Sequence, residues 1–402
     1  MATYSAADVA SRAGVEPDFL DRVVELGIVM PKEPDKFSAG DIRRVGLAKS
    51  LEDAKIPLDE VVAAIHHGAL SLGFFDAPAF DRFAVLSAET FRQVSDRTGI
   101  PLALLTAVRE AIGMELPSPD DRLREDELAI VPYIELQLSE GFRPAAIERL
   151  LRVQGDSTRR MSEQEAAWWI SEVVEPARAA GEGPEGVSNV DLTDRIAPLT
   201  DQTILAMYHA HQAANWTANL IEGFQGLMEK AGIHSHLAQL PAICFLDLTG
   251  FTRLTQERGD EAAADLAATV ARLVQRSAVQ HGGKTIKWLG DGVMFYFPDP
   301  GAGVAAALEM VEVLADAGLP PAHVGLAAGP VLFQEGDYFG QTVNLSARIA
   351  DYARQREVLV TQGVADASDQ TTIAFDDVGE VELKGVSGTV HLLRAHPGSN
   401  LT

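Results

Sequence analysis

From about residue 240 onward the apolar pattern of this 402-residue chain changes period, and that change limits it to two different kinds of folded unit. Up to about residue 230, apolar side chains recur at helical spacing, broken by short Gly/Pro/Asp turns. Beyond about residue 240, short strand-like runs alternate with helical stretches, as in an α/β or α+β domain. The expected class is therefore α+β, with an all-α N-terminal part and a mixed C-terminal domain. Hydrophobic residues make up 47% of the chain, which is enough to build more than one core.

The helical half repeats itself. Ser5-Ala6-Ala7-Asp8-Val9 through Arg12-Ala13-Gly14-Val15 resembles Ser87-Ala88-Glu89-Thr90-Phe91 through Arg97-Thr98-Gly99-Ile100. Leu26-Gly27 has its counterpart at Ile112-Gly113, and Ala54-Lys55-Ile56-Pro57-Leu58 at Glu140-Gly141-Phe142-Arg143-Pro144. The offset stays near 85 residues (Gly99 minus Gly14 is 85; Pro144 minus Pro57 is 87). Two copies of one helical module are expected, each opening on a helix-turn-helix. The opening of the first copy, extended by Phe37-Ser38-Ala39-Gly40-Asp41-Ile42, resembles MerR-type winged-helix regulators. That family binds DNA, and a DNA reader needs a basic face. Residues 1–70 carry 8 Lys+Arg against 12 Asp+Glu, a net of −4, and the whole chain carries −25. A helical regulatory module is expected here rather than a nucleic-acid binder.

Residues 176–189 include Gly181-Glu182-Gly183-Pro184-Glu185-Gly186, which is linker composition. Pro198 is expected to divide the helical stretch that follows, because proline removes an interior hydrogen bond. Further on, Trp216, Leu220, Phe224 and Leu227 fall on one helical stripe. That helix can relay a signal or serve as a spacer. His209, His211, His234 and His236 cluster nearby, and histidine titrates close to neutral pH. The expected organisation is a helical regulatory domain at 1–175, linker and connecting helices at 176–238, and the mixed domain at 239–396. The one cysteine, Cys244, excludes an intrachain disulfide framework and a multi-cysteine zinc site. No apolar run approaches the roughly 20 residues of a membrane span. The residues after Met1 lack the basic-then-apolar pattern of a secretion signal. A soluble, cytoplasmic protein is expected.

Three elements of the C-terminal half carry chemistry. Ile243-Cys244-Phe245-Leu246 is a short apolar run that ends on Asp247 and leads through Leu248-Thr249-Gly250-Phe251-Thr252 into a helix. A carboxylate at a strand end supplies hard oxygen for Mg²⁺, and backbone N–H groups at a helix start face phosphate. An aspartate there also serves as an ordinary helix cap. Thr285 to Leu289 and Val293 to Phe297 read as strands joined at Gly290-Asp291-Gly292, a hairpin turn. Asp291 is either a plain turn residue or a second carboxylate beside Asp247. Two such groups can hold a pair of divalent ions ~4 Å apart. In Asp337-Tyr338-Phe339-Gly340-Gln341-Thr342-Val343-Asn344-Leu345-Ser346-Ala347-Arg348, Asn344 and Arg348 share one helix face. They are either phosphate-directed donors or an exposed polar pair.

In this order the three strings, with the weaker Val381-Glu382-Leu383-Lys384-Gly385, resemble the class III adenylate and guanylate cyclase catalytic domain over roughly residues 240–395. The resemblance implies a ferredoxin-like domain. It makes Asp247 and Asp291 the metal-binding aspartates, with the backbone of Leu248 on metal and of Gly250, Phe251 and Thr252 on phosphate. It makes Lys287 and Asp337 the adenine-reading pair, Asn344 the ribose contact, Arg348 the transition-state arginine and Lys384 a triphosphate contact. Mg²⁺ or Mn²⁺, two ions per site, are the implied cofactors. ATP rather than GTP is the implied substrate, because a carboxylate at Asp337 faces the guanine carbonyl unfavourably. The family builds its site across a dimer. Since one chain here holds every role, the resemblance implies a homodimer with two equivalent composite sites. The layout further resembles mycobacterial-type cyclases with a regulatory, autoinhibitory helical half. The alternatives left open are a guanylate or dual-specificity cyclase, and a transcription regulator whose C-terminal domain senses a nucleotide.

Overall fold

The computed structural model describes residues 3–31, 33–83, 85–233, 240–250 and 260–398, with residues 260–264 described by backbone alone. The chain divides into two units, Met1–Gly223 and Phe224–Thr402.

In the first unit, one copy of the helical module comprises α1 (Ala6–Ala13), α2 (Pro17–Glu25), α3 (Ala39–Asp53) and α4 (Leu58–His66). The other comprises β1 (Leu86–Thr90), α5 (Phe91–Thr98), α6 (Leu102–Ala111), β2 (Arg122–Arg124), α7 (Glu125–Ser139) and α8 (Pro144–Trp169). The same capping chemistry recurs in both. The Ser5 hydroxyl accepts from the Asp8 amide while the Asp8 carboxylate accepts from the Ser5 amide, and Thr90 with Gln93 repeats the exchange. Gly14 (φ 71°) and Gly99 (φ 73°) then end α1 and α5 in the left-handed conformation that glycine adopts freely. Each copy buries its own cluster, around Val9, Leu20 and Val23 in the first and Phe91, Leu105 and Ile134 in the second.

This unit is not all-α, contrary to the expectation from helical periodicity. β1 pairs antiparallel with β2, and a Tyr4–Phe37 bridge occupies the same place in the first copy. These contacts sit just before the first and third helices of each copy and tie the two starts together. The paired segments are short, carry Ser, Ala, Glu and Arg, and find partners far along the chain, so no alternating pattern reveals them.

α8 passes through one π turn at Ile170–Val174 into α9 (Glu175–Ala179). The π turn lies just before Pro176 and absorbs its missing N–H and ring clash, which keeps the helix going. α10 (Pro184–Ser188) and α11 (Val190–Lys230) follow. Pro198 does not divide α11 as expected; it lies inside, since a helix of 41 residues tolerates one lost hydrogen bond. Trp216, Leu220, Phe224 and Leu227 are each more than half exposed, and His209 and His211 are exposed on the same helix. His234 and His236 lie outside the described residues.

The second unit runs β3 (Ala242–Leu248), α12 (Asp260–Gln280), β4 (Lys284–Leu289), β5 (Gly292–Phe297), α13 (Pro300–Asp316), β6 (Ala322–Ala328), β7 (Leu332–Gln334), β8 (Asp337–Phe339), α14 (Gln341–Tyr352), β9 (Val358–Thr361), α15 (Gln362–Asp366), β10 (Ile373–Glu382) and β11 (Thr389–Pro397). One sheet has the order β10-β11-β9-β6-β3-β5-β4, and β7 and β8 form a separate hairpin. The four strands β6-β3-β5-β4 are antiparallel neighbours connected as βαββαβ, the split-βαβ arrangement. Alternation along β3 sends Cys244, Leu246 and Leu248 into the core that also contains Val270 and Val274 of α12 and Val304 and Met310 of α13. Ile243 and Phe245 face the other way and pack with Met294, Tyr338 and Val343. Gly325 lets α14 lie directly on β6, because a Cβ there would come within 2.2 Å of the Ala350 backbone nitrogen. Among the described residues no helix is long and apolar enough to cross a membrane.

Candidate active site

The strand period places Asp247 on the same sheet face as Ile243 and Phe245, one residue before β3 ends at Leu248. Two residues later Gly250 turns the chain with φ 81°. Opposite Asp247 in the register is His323 of β6, its Nε2 3.5 Å from the Asp247 carboxylate and its Nδ1 3.2 Å from the Thr249 hydroxyl. On the other side lies the β4–β5 hairpin, whose two turn residues are Gly290 and Asp291; Gly290 takes φ 68°, which the tight turn requires. A Cβ at Gly292 would sit 3.3 Å from the Asp247 carboxylate, so the tip of the hairpin abuts that group.

Burial pushes the Asp247 carboxyl above the usual carboxylate range, and the Asp291 charge adds to the shift. His323 and the Leu248 amide work in the opposite direction, and Asp351 raises it further. The ionised form of Asp247 is therefore penalised in the folded chain. That penalty is present above the folded-state pKa and disappears as the pH falls through it. Asp247→Asn is accordingly expected to raise the thermal midpoint in EDTA at neutral pH by ~2 °C, with the gain shrinking under acid conditions. Scanning calorimetry checks this, and an unchanged or lower midpoint contradicts it.

A β-bulge delivers the next group. Thr285 pairs with Phe295 and Lys287 with Met294, so two residues of β4 advance the partner strand by only one. Without the bulge Lys287 would point with Thr285 and Phe295 toward α12 and α13. With it, Lys287 joins Met294 and Phe245 on the face that carries Asp247. There its ammonium forms an ion pair with Asp337, the first residue of β8. The other Asp337 oxygen accepts from the Tyr338 amide at 2.8 Å.

Asn344 and Arg348 are exposed on α14, one helical turn apart. Arg348 Nη1 donates to Asp351 at 2.7 Å. Lys384 is exposed in the turn between β10 and β11, with no carboxylate paired to it among the described residues. Within one chain, then, Asp247 meets Asp291 and Lys287 meets Asp337, while Asn344, Arg348 and Lys384 project outward. Phe251 and Thr252 lie outside the described residues.

His323 and Asp351 surround Asp247 without having been singled out in the sequence. His323 becomes visible only through strand register, and Asp351 only through the packing of α14 against β3 and β6.

Residues 235–395 match the model of the adenylate and guanylate cyclase catalytic domain. The chain is 28% identical to a pH-sensitive adenylate cyclase of Mycobacterium tuberculosis, over 77% of this chain and 79% of that one. The C-terminal unit carries an adenylate and guanylate cyclase catalytic domain of class III. The chain is also 26% identical to an adenylate cyclase of Streptomyces coelicolor over 68% of this chain and 70% of that one. Among solved structures, the adenylyl cyclase CyaB from P. aeruginosa aligns with 39% of this chain and 93% of its own length at 23% identity and a TM-score of 0.36. The cyclase domain thus coincides with the unit that carries Asp247, Asp291, Lys287 and Asp337.

Proposed function

We propose that the C-terminal domain converts ATP to 3′,5′-cyclic AMP and pyrophosphate, with two divalent cations per site and a second copy of the chain completing each site. The observation that carries this reading is that one sheet face gathers two carboxylates, Asp247 and Asp291, beside a lysine–aspartate pair, Lys287 and Asp337.

The donor set fits hard cations. The Asp291 charge raises the cost of ionising Asp247, and the Leu248 carbonyl would add a third oxygen, a set that suits Mg²⁺ or Mn²⁺ better than softer metals. When bound, the ions would lower the pKa of the ribose 3′-hydroxyl and neutralise triphosphate oxygens. The protein's part is to hold the 3′-oxygen in line with the α-phosphorus, so that the new P–O bond forms as the bond to pyrophosphate breaks. The backbone after Asp247, at Gly250, Phe251 and Thr252, and the Lys384 ammonium take the triphosphate. Asn344 orients the ribose, and Arg348 donates to the charge that grows on the α-phosphoryl oxygens.

Lys287 and Asp337 satisfy one another in the free chain, so adenine enters by replacing one ion pair with two hydrogen bonds. Its exocyclic amine donates to the Asp337 carboxylate, and its ring nitrogen accepts from Lys287. Guanine sets a carbonyl oxygen against the half-buried Asp337 carboxylate instead, acceptor against acceptor. Arg348 is bound to Asp351 within its own chain and faces outward, which supports delivery to the site of a second copy.

ATP turnover with Mg²⁺ or Mn²⁺ is expected to exceed GTP turnover by roughly 10²-fold or more in kcat/KM, and EDTA is expected to abolish it. Equal use of the two nucleotides would remove the adenine assignment. Regulation by the helical unit belongs to the same reading, supported by the likeness to a pH-sensitive enzyme that extends over 77% of the chain. Activity against pH for the full chain and for a chain starting at Gln239 tests it, and superimposable profiles would remove regulation from the account.

A further inference from the structure

Lys284 opens β4 directly opposite Tyr296 of β5, and among the described residues no carboxylate pairs with it. Its ammonium instead lies over three aromatic rings, 5.3 Å from the centre of Tyr296, 5.4 Å from Tyr338 and 5.9 Å from Phe333. Tyr296 and Tyr338 stack at 4.7 Å with 17° between their planes, and Phe333 meets Tyr338 at 5.0 Å. Partial burial pushes the Lys284 pKa down, and ring faces attract its cationic form.

The rings come from two places. Tyr296 belongs to the main sheet, whereas Phe333 and Tyr338 face each other across the separate β7–β8 hairpin. That hairpin carries Asp337, immediately before Tyr338. Glu335 and Gly336 at its tip both have positive φ, 55° and 78°, and each of its strands is three residues long. Two such short strands are weakly held by their own ladder. β4 therefore grips the hairpin twice, through Lys284 on Tyr338 and Phe333 and through Lys287 on Asp337.

We propose that Lys284 is a positioning residue for base selection: its aromatic cage fixes the β7–β8 hairpin against the sheet, and so sets Asp337 at the distance from Lys287 that adenine requires. This rests on the assignment of Lys287 and Asp337 as the adenine pair. Adenine entry separates Lys287 from Asp337, and at that moment the cage, together with the burial of Tyr338 against Ile243 and Met294, holds the hairpin in place. Loosening it lets Asp337 drift, which weakens adenine binding and admits guanine, while the metal and phosphate groups stay where they are.

The test uses the full chain with Lys284→Met, which keeps the aliphatic stem without the charge, and Lys284→Arg, which keeps a cation for the rings. For Lys284→Met, KM for ATP is expected to rise about tenfold, kcat to stay within about twofold, and the ATP-over-GTP preference to fall about tenfold. Lys284→Arg is expected to stay near wild type. Phe333→Leu, at an exposed position, is expected to shift KM and preference in the same direction and to add little in combination with Lys284→Met. Unchanged KM and preference in Lys284→Met would overturn the proposal. So would a fall in kcat together with the thermal midpoint while the ATP-over-GTP ratio is kept, because that pattern marks a purely structural residue. A wild-type chain that turns over neither nucleotide would instead defeat the cyclase assignment itself.

Discussion

Asp247→Ala is expected to reduce cyclic AMP production by about 10³-fold or more, and Asp291→Ala to do the same, with either chain still folded. The size follows from what the two carboxylates do. Asp247 is partly desolvated and meets the Asp291 charge, which raises its carboxyl and makes its ionised form costly to the free chain. On the proposed reading that cost is relieved when divalent charge occupies the site, and the pair would act as a cation trap maintained at the expense of stability. Removing one carboxylate would then remove both the trap and the charge proposed to position the triphosphate. The same substitution relieves the repulsion, so loss of activity is expected alongside a thermal midpoint that does not fall. An alanine variant that retains a tenth of the wild-type rate would show that the chemistry lies elsewhere.

Arg348→Ala is expected to lower kcat by ~10²–10³ with a small effect on KM, since the proposed role of the guanidinium is to stabilise charge that appears only in the transition state. Arg348→Lys is expected to recover little, because a point charge does not reproduce the forked donor geometry. In the free chain Arg348 is bonded to Asp351 and exposed, so its loss has little reason to destabilise the fold. A large rise in KM with unchanged kcat would make Arg348 a ground-state contact and not a transition-state donor.

Much of the site was legible from short strings. Asp247 at a strand end, the Gly290-Asp291-Gly292 turn and the Asn344/Arg348 spacing each announce a local geometry that the structure then displays. What periodicity could not reveal depends on contacts between distant segments. Lys287 shares a face with Asp247 only because of the bulge after Thr285, and a strict two-residue alternation would place it on the opposite side. His323 reaches Asp247 through the β3–β6 register, and the Lys284 cage needs a hairpin more than forty residues further along the chain. The helical half shows the same division. The spacing of its repeated strings was visible in sequence, while the β1–β2 ribbon and the Tyr4–Phe37 bridge were not, because their partners are remote. Pro198 and Pro176 mark the limit of reading prolines as helix ends: one is carried within a long helix and the other follows a π turn.

Mixing the two inactive chains, Asp247→Ala and Arg348→Ala, tests the composite site directly. If each site takes its aspartates from one copy and its arginine from the other, random pairing of equal amounts makes half of the dimers mixed, each with one intact site. About one quarter of the wild-type cyclic AMP production should then return, at concentrations where the chains associate. A mixture no more active than its separate components would contradict the account.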